Sequence, residues 1–237
     1  MACKYFKGNY VLALEYVFDT GLVKEKISLS RFSRRLNRLT DFILYIKDVL
    51  GSIGVSNNKE NNFMIDSCPV SVCHNIRIRR CKLLQGEEYR GYTSSKKEYF
   101  YGFRLQILIN EKGNICEFAL QQGRENDQPA FNCLNFDIPE GSNVYADKGY
   151  INYLQELILK ECGGINFLPI RKSNSKTDDN TLFHNWIRQK KRKYVETTIS
   201  EIDKLLPQKI HATNINAFIL KLTGFILAYN FHSLFLT

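Results

Sequence analysis

The hydrophobic period of this chain changes near residue 60, and this change limits the possible folds more than any other feature of the sequence. Between residues 29 and 50, apolar side chains recur in steps of three and four, which places them on one face of a helix. Between residues 103 and 109 they alternate with other residues, as in a half-buried strand. A chain that carries both periods in succession is expected to fold into mixed α/β layers.

Helices, strands and one linker can be placed from these patterns. Helical segments are predicted at about 10–18 and 28–50, and Ser28 or Ser30 can cap the second. Gly51, Gly54 and a polar run then predict a linker, which divides the chain into a helical segment, 1–61, and an α/β domain, 62–237. The domain has predicted strands at 63–65, 103–109, 115–120, 143–146 and 165–170, and predicted helices at 151–162, 181–206 and 214–235.

The segment 217–237 is apolar enough to suggest a membrane helix. Lys221, Asn230 and His232 interrupt it, and the part after Lys221 is shorter than the roughly 18–20 residues that a span requires. We therefore predict a core helix. The first residues lack the pattern of a signal peptide, and seven cysteines at irregular spacings fit reduced thiols. Together these features predict a cytoplasmic protein that does not enter a membrane.

The chain is basic, with 33 Lys and Arg against 24 Asp and Glu and a formal charge of +9, which favours a polyanionic partner. Five of the six residues from 188 to 193 are basic, and four arginines share one face of the helix predicted at 28–50. Both groups are either nucleic-acid contacts or solvated helix faces. Trp186 and Tyr194 flank the first group and can stack on a base or lie in the core, and we favour the core for Trp186. The candidate nucleic-acid contacts in the two groups are Arg31, Arg34, Arg35, Arg38, Arg188, Lys190, Lys191, Arg192 and Lys193.

Three acidic residues are candidates for a metal site. Asp66 and Asp147 each end a predicted strand, and α/β proteins build sites at the carboxyl ends of strands. Glu196 lies 49 residues after Asp147, on a late helix. Three converging carboxylates repel one another and suit Mg²⁺ or Mn²⁺, and a pair of such ions can drive a phosphoryl displacement. The residues alone leave open a solvated or capping role for these acids, and Glu201 and Asp203 compete with Glu196 for the third position.

A zinc site is the alternative function for a group of cysteines and one histidine. The spacing of Cys68, Cys73 and Cys81 lacks the short paired separations of structural zinc sites. Since free cysteine is commonly buried, we predict buried thiols, with a supporting or purely structural role for His74.

Six short motifs occur in one order between residues 65 and 230. They are IDSCPVSVCHN at 65–75, GFRL at 102–105, NEKG at 110–113, ADKGYI at 146–151, VET at 195–197 and LAYN at 227–230. With these motifs the chain resembles the DDE transposases of bacterial insertion sequences, and the resemblance extends from about residue 16 to residue 230, nearly the whole chain. The segments around Asp66 and Asp147 are the specific ones, whereas VET has meaning only through its position after them.

The resemblance implies a fold, a reaction and a set of residues. The fold is a ribonuclease H-like mixed sheet flanked by helices, preceded by a small helical segment that contacts DNA. The acids Asp66, Asp147 and Glu196 would bind two Mg²⁺ or Mn²⁺ ions, and Lys148 would join the DNA contacts. The reaction would be cleavage at the element's ends, followed by attack of the freed 3′-hydroxyl on target DNA. The expected partner is double-stranded DNA, both terminal inverted repeats and target, bound by a homodimer associated with the bacterial nucleoid.

The sequence departs from the family pattern in two ways. Related transposases place a Tyr, an Arg and a Lys at fixed steps around the glutamate; here Arg192 is in step, but Gln189 and Asp203 occupy the other two positions. Relatives also have more than 65 residues before the first aspartate, so the chain is expected to be shortened at its start. A truncated remnant that binds DNA without cutting it is therefore the rival function. A ribonuclease H-like nuclease without strand transfer is a more distant alternative.

Overall fold

The computed structural model describes residues 1–84, 86–93, 97–125, 134–171 and 181–236. The helices are α1 (Ala2–Tyr5), α2 (Tyr10–Asp19), α3 (Leu29–Arg38), α4 (Thr40–Ser56), α5 (Tyr153–Gly163), α6 (Leu182–Leu205) and α7 (Ile215–Phe235). The strands are β1 (Asn62–His74), β2 (Arg90–Thr93), β3 (Glu98–Asn110), β4 (Ile115–Gln122), β5 (Asn143–Ala146) and β6 (Asn166–Pro169).

These strands form one mixed sheet. Their order is β2-β3-β1-β5-β6, and β4 also pairs with β3. The neighbours of β3 run antiparallel to it, whereas β1, β5 and β6 are parallel to one another. The core of this part of the chain packs Phe63, Leu108, Val144 and Phe167, all buried, from four different strands. The predicted mixed α/β fold is confirmed, as are the hairpin that turns at 110–114 and the late helices.

The chain groups into two compact units. The first contains residues 1–50 together with 200–237, and the second contains residues 51–199 with the whole sheet. The first unit thus joins both ends of the chain, which no local sequence pattern indicated.

The predicted helix at 28–50 is two helices. α3 ends at Arg38, and α4 begins at Thr40, whose hydroxyl donates a hydrogen bond to the carbonyl of Asn37. The continuous apolar stripe concealed this break, because the steps of three and four continue through Leu39, which is itself half exposed.

The predicted linker is also helical up to Ser56. Gly51 and Gly54 do not break the helix as predicted, and Gly51 serves close packing. A Cβ atom on Gly51 would lie 2.2 Å from the backbone oxygen of Cys116, so only glycine allows this approach of α4 to β4. At Gly54 the nearest atoms would be 3.4 Å away, which is ordinary contact.

β1 is much longer than the predicted strand 63–65. It continues to His74, and Cys68, Val70 and Val72 are buried at alternate positions along it. The sequence predicts that the strand ends at Asp66, since an aspartate is rare in strands, and Pro69, which lacks an N–H donor, is also unfavourable there. Pairing with β3 overrides both signals: Asp66 lies opposite Ile107 and Pro69 opposite Arg104.

Three asparagines form a ladder across the parallel strands where these begin. Asn62, Asn143 and Asn166 are in register. The side-chain amide of Asn143 donates to Oδ1 of Asn62 at 3.1 Å, and that of Asn166 donates to Oδ1 of Asn143 at 3.2 Å. The Asn62 amide donates in turn to Oε1 of Glu111 at 3.1 Å.

α7 is the one helix within the described ranges that is long and apolar enough to cross a membrane, with a mean hydropathy of 1.3. Phe218, Leu222 and Phe225 of this helix are buried within the first unit, as a core helix requires. Lys221 interrupts the apolar run: its ammonium donates to the carbonyl of His211 at 2.7 Å and lies over the ring of Tyr10. Burial lowers the pKa of Lys221.

Candidate active site

Asp66 and Asp147 lie at the same level of the sheet. The parallel register pairs Asn62 with Asn143, and each aspartate follows its asparagine by four residues. Since side chains alternate between the two faces of a sheet, an even and equal offset puts both carboxylates on one face. Asp147 follows the end of β5 as predicted. Asp66 does not end β1, but it lies just beyond the last residue that pairs with β5, Met64.

Glu196 of α6 is linked to the two aspartates by Arg192, which lies one helical turn before it and contacts all three acids. Nε of Arg192 lies 3.4 Å from Oε1 of Glu196 and 3.7 Å from Oδ2 of Asp66. Nη1 of Arg192 lies 3.2 Å from Oδ1 of Asp147, within hydrogen-bond distance. The structure therefore gathers the three predicted acids around one guanidinium.

The acids differ in their access to solvent. The side chain of Asp66 is 15% exposed, that of Asp147 is 27% exposed and that of Glu196 is 54% exposed. Nε of Arg192 is buried, and within the described part of the chain it has no hydrogen-bond partner. Three negative groups face one positive group, so the cluster keeps an excess of negative charge and attracts further cations.

Backbone and side-chain contacts hold the two aspartates in place. Oδ1 of Asp66 accepts a hydrogen bond from the N–H of Ser67 at 2.8 Å. The carbonyl of Asp147 accepts from the N–H of Tyr150 at 3.0 Å. The hydroxyl of Tyr150 donates to Oε1 of buried Gln106, which faces Ser67 across the sheet. The conformation of the DKGY segment is therefore tied to the strand pair that carries Asp66.

The basic run at 188–193 does not form a uniform solvated face. Arg188 is 3% exposed and donates to Oδ1 of Asn185 at 3.4 Å. Lys191 is paired with Glu111, and Arg192 with the acids. The exposed basic residues of the run are Lys190 and Lys193, and Lys148 beside Asp147 is exposed as well.

The ion pair between Lys191 and Glu111 joins α6 to the turn after β3. Burial acts to lower the pKa of Lys191, but the hydrogen bond and the charge of Glu111 outweigh it, and the pKa is raised. The neighbouring Tyr145 has a raised pKa, chiefly through burial. The same Glu111 ends the asparagine ladder, so α6 is connected to the register of the sheet.

The core interpretation of Trp186 is wrong. Its side chain is 57% exposed, it stacks on Phe183 with 6.4 Å between ring centroids, and the ammonium of Lys190 lies 5.3 Å from its ring. Tyr194 is 42% exposed. Both rings are thus accessible to a partner.

The four arginines of α3 are exposed. Ser28 caps the helix by accepting from the N–H of Arg31 at 3.3 Å, and Nε of Arg34 donates to the carbonyl of Ser30 at 3.4 Å. Exposure is compatible with both interpretations of this face, the DNA contact and the solvated surface. The exposed side chains are Arg31, Arg34, Arg35 and Arg38.

Cys68 is buried, as predicted, while Cys73 and Cys81 are half-buried. The side chain of His74 lies outside the described residues. No group of three or more His, Cys, Asp or Glu side chains in the described ranges is already gathered closely enough to hold a metal ion. This applies to the cysteines and also to the three acids around Arg192.

Sequence reasoning missed three contributors to the site. Gln106 and Glu111 support it from β3 and the following turn; Glu111 lies in the NEKG motif, but nothing in that motif indicates such a role, and Gln106 lies in no motif. Arg192 was assigned to DNA. Its position four residues before Glu196 was the available signal, since this spacing lets two helical side chains meet.

Comparison with known proteins gives two matches. The model of a family described as "Transposase DDE domain" matches residues 57–214. The fold is similar to that of a piggyBac transposase in a synaptic complex with hairpin DNA, determined by cryo-EM, with a TM-score of 0.54 and 11% sequence identity. The match covers 89% of this chain and 54% of the other, so this chain spans about half the length of that protein. No curated protein shows a significant match to the sequence.

Proposed function

The chain belongs to the DDE transposase family, whose domain covers more than half of its residues, and from this membership we propose that it is a transposase that cuts DNA at the ends of a mobile element and joins them to target DNA. The observation that carries the proposal is the gathering of Asp66, Asp147 and Glu196 around Arg192. They come from two strands and a helix, and they are the acids that the family resemblance assigns to catalysis.

The donor set fits divalent metal ions. Carboxylate oxygens are the ligands that Mg²⁺ and Mn²⁺ prefer, and the cluster has an excess of negative charge that a bound cation relieves. DDE transposase domains are metal-dependent; that two ions of Mg²⁺ or Mn²⁺ bind to Asp66, Asp147 and Glu196 belongs to the proposal. Bound there, the ions would supply activation of the attacking oxygen and stabilisation of the leaving oxygen.

The residues of the chain itself would bind and orient the DNA. Lys148, Lys190 and Lys193 are exposed and near the acids in sequence, which suits contacts to the phosphates on either side of the cleaved bond. Exposed Trp186 suits stacking on an unpaired base. We extend the proposal to the arginine face of α3 as a second DNA contact, and to a homodimer that holds two element ends.

Cleavage of a labelled duplex carrying the DNA sequences that flank the gene, which the proposal expects to contain inverted repeats, tests this function. In Mg²⁺ or Mn²⁺ the protein should nick the repeat end and join it to a second duplex, whereas Asp66→Asn and Glu196→Gln should abolish both steps. Glu201→Gln is the matched control, an exposed acid further along α6 that should leave activity unchanged. Nicking that persists in Asp66→Asn would contradict the assigned site.

The rival functions give different results in the same assay. Tight binding of the repeat without nicking would indicate a DNA-binding remnant, and nicking without joining would indicate a nuclease. Lys148→Gln, Lys190→Gln and Lys193→Gln test the DNA contacts through salt dependence. Each lost phosphate contact should reduce the slope of log affinity against log salt concentration by about 0.9.

A further inference from the structure

We infer that the guanidinium of Arg192 acts as a counter-ion to Asp66, Asp147 and Glu196, which we call the acid cluster. It occupies the cluster before a metal ion binds, and it thereby lowers the affinity of the cluster for divalent ions. The inference rests on the proposed function, because it takes Asp66, Asp147 and Glu196 as metal ligands. It assigns Arg192 a role that differs from the DNA contact predicted from the basic run.

The contacts of Arg192 are those of an exchangeable counter-ion. Its guanidinium approaches three carboxylates at 3.2–3.7 Å, and only the contact with Asp147 is a hydrogen bond. Its buried Nε has no hydrogen-bond partner within the ranges that the structure describes. Charge therefore holds this side chain more than fitted hydrogen bonds do.

A second arginine of the same chain shows the contrasting arrangement. Arg171 forms a bidentate pair with Glu156, with Nη1 at 2.8 Å from Oε1 and Nη2 at 2.7 Å from Oε2, and its side chain is 6% exposed. This planar, two-bond geometry is typical of a structural ion pair. Arg192 makes no such pair with any of its three acids, and its side chain is 33% exposed. It can swing into solvent without a change in the backbone of α6.

The charges determine the direction of the effect. Without a cation, three neighbouring carboxylates repel one another, and the guanidinium relieves part of this repulsion. A divalent ion that binds the same oxygens must displace the guanidinium or tolerate its positive charge. Either requirement raises the dissociation constant of the metal.

Binding of Mn²⁺ to the full chain without DNA tests the inference, with free Mn²⁺ measured by electron paramagnetic resonance. We expect Arg192→Gln to bind Mn²⁺ about tenfold more tightly than the wild type, since removal of one unit charge near the ion is worth at least that factor. Lys204→Gln is the matched control, because it removes the same charge from an exposed residue further along α6. Its dissociation constant should change by less than about twofold, because exposed charges are screened.

Thermal unfolding provides a second readout. Arg192→Gln should have a lower melting temperature than the wild type without metal and a larger increase on addition of Mn²⁺. An arginine that only supports the fold would lower the melting temperature equally with and without metal. Where Arg192→Gln does not fold, Arg192→Met takes its place: it keeps an apolar stem and removes the charge, so Mn²⁺ should again bind more tightly than to the wild type.

Asp66→Asn separates failure of this inference from failure of the proposed function. Mn²⁺ binding that Asp66→Asn abolishes but Arg192→Gln leaves unchanged or weakens would overturn the role of Arg192 alone. Mn²⁺ binding that is absent from every variant, or unaffected by Asp66→Asn, would overturn the metal site as well.

Discussion

The hydroxyl of Tyr150 donates a hydrogen bond to Oε1 of Gln106, and both side chains are fully buried. Nε2 of Gln106 donates to Oε1 of Gln121 at 3.2 Å, so the bond belongs to a polar network inside the sheet core. This network fixes the short helical turn after Asp147.

Tyr150→Phe should lower the free energy of unfolding by about 1–3 kcal/mol, because it leaves a buried amide oxygen without its donor. Urea denaturation measures the loss. Tyr153→Phe, three residues later and 56% exposed, is the control and should change stability by less than about 0.5 kcal/mol. Equal effects of the two variants would contradict the role of the network.

Glu156→Gln should destabilise the protein by about 3 kcal/mol, since it replaces the charged partner of a buried, bidentate ion pair with a neutral amide. The same denaturation experiment tests it. Glu161→Gln removes an exposed carboxylate from the same helix, α5, and should have little effect. A loss for Glu156→Gln no larger than that of its control would show that the pair contributes nothing.

Gly51→Ala and Gly54→Ala should change the melting temperature of the protein differently. Alanine favours a helix over glycine by about 1 kcal/mol, and the new methyl group at Gly54 meets only ordinary contacts. At Gly51 it would lie 2.2 Å from a backbone oxygen that cannot move aside cheaply. We expect Gly51→Ala to lower the melting temperature and Gly54→Ala to leave it unchanged or raise it. A calorimetric scan that gave both variants the same shift would refute the close approach of α4 to β4.

The contribution of the Lys191–Glu111 ion pair to the free energy of unfolding should disappear at high pH. The pKa of Lys191 is raised in the folded state above its ordinary value of 10.5. Its stabilising effect is therefore fully present below 10.5 and is lost as the pH rises through the folded-state pKa. Lys191→Met should cost about 1 kcal/mol at pH 8.

The difference in unfolding free energy between the wild type and Lys191→Met is the quantity to follow with pH. It should stay constant from pH 7 to about pH 10 and shrink above that value. Lys193→Met, which removes an exposed lysine, should show no such trend. A difference that grew with pH would reverse the sign assigned to this pair.

Sequence periodicity predicted the elements that carry an uninterrupted pattern. α2, α6, α7, the hairpin of β3 and β4, and β5 were placed from local signals alone. The second half of β1 was missed, because polar residues and Pro69 hide a strand that only its pairing with β3 stabilises. The prediction for Gly51 was wrong for a related reason. Glycine can end a helix or permit close packing within one, and the sequence alone does not distinguish the two roles.

The individual residues of the site could be predicted from the sequence, but their arrangement could not. Asp147 could be placed from the end of β5, and Glu196 from its position on a basic helix. Their assembly depends on the register between β1 and β5 and on the direction from which α6 approaches the sheet. Asp147 lies 81 residues after Asp66, and Glu196 lies 49 residues after Asp147, so no local sequence pattern indicates either the register or the direction. The central position of Arg192 follows from that assembly and could not be predicted without it.

The asparagine ladder fixes the register of the two strands from which Asp66 and Asp147 follow, each four residues after its asparagine. A slip of β5 against β1 by one residue would break the amide bonds from Asn143 to Asn62 and Asn166. It would also carry Asp147 about 3.3 Å along the sheet and turn its carboxylate to the other face. Three uncharged side chains outside the acid cluster thereby protect the chain from folding with its two aspartates out of register.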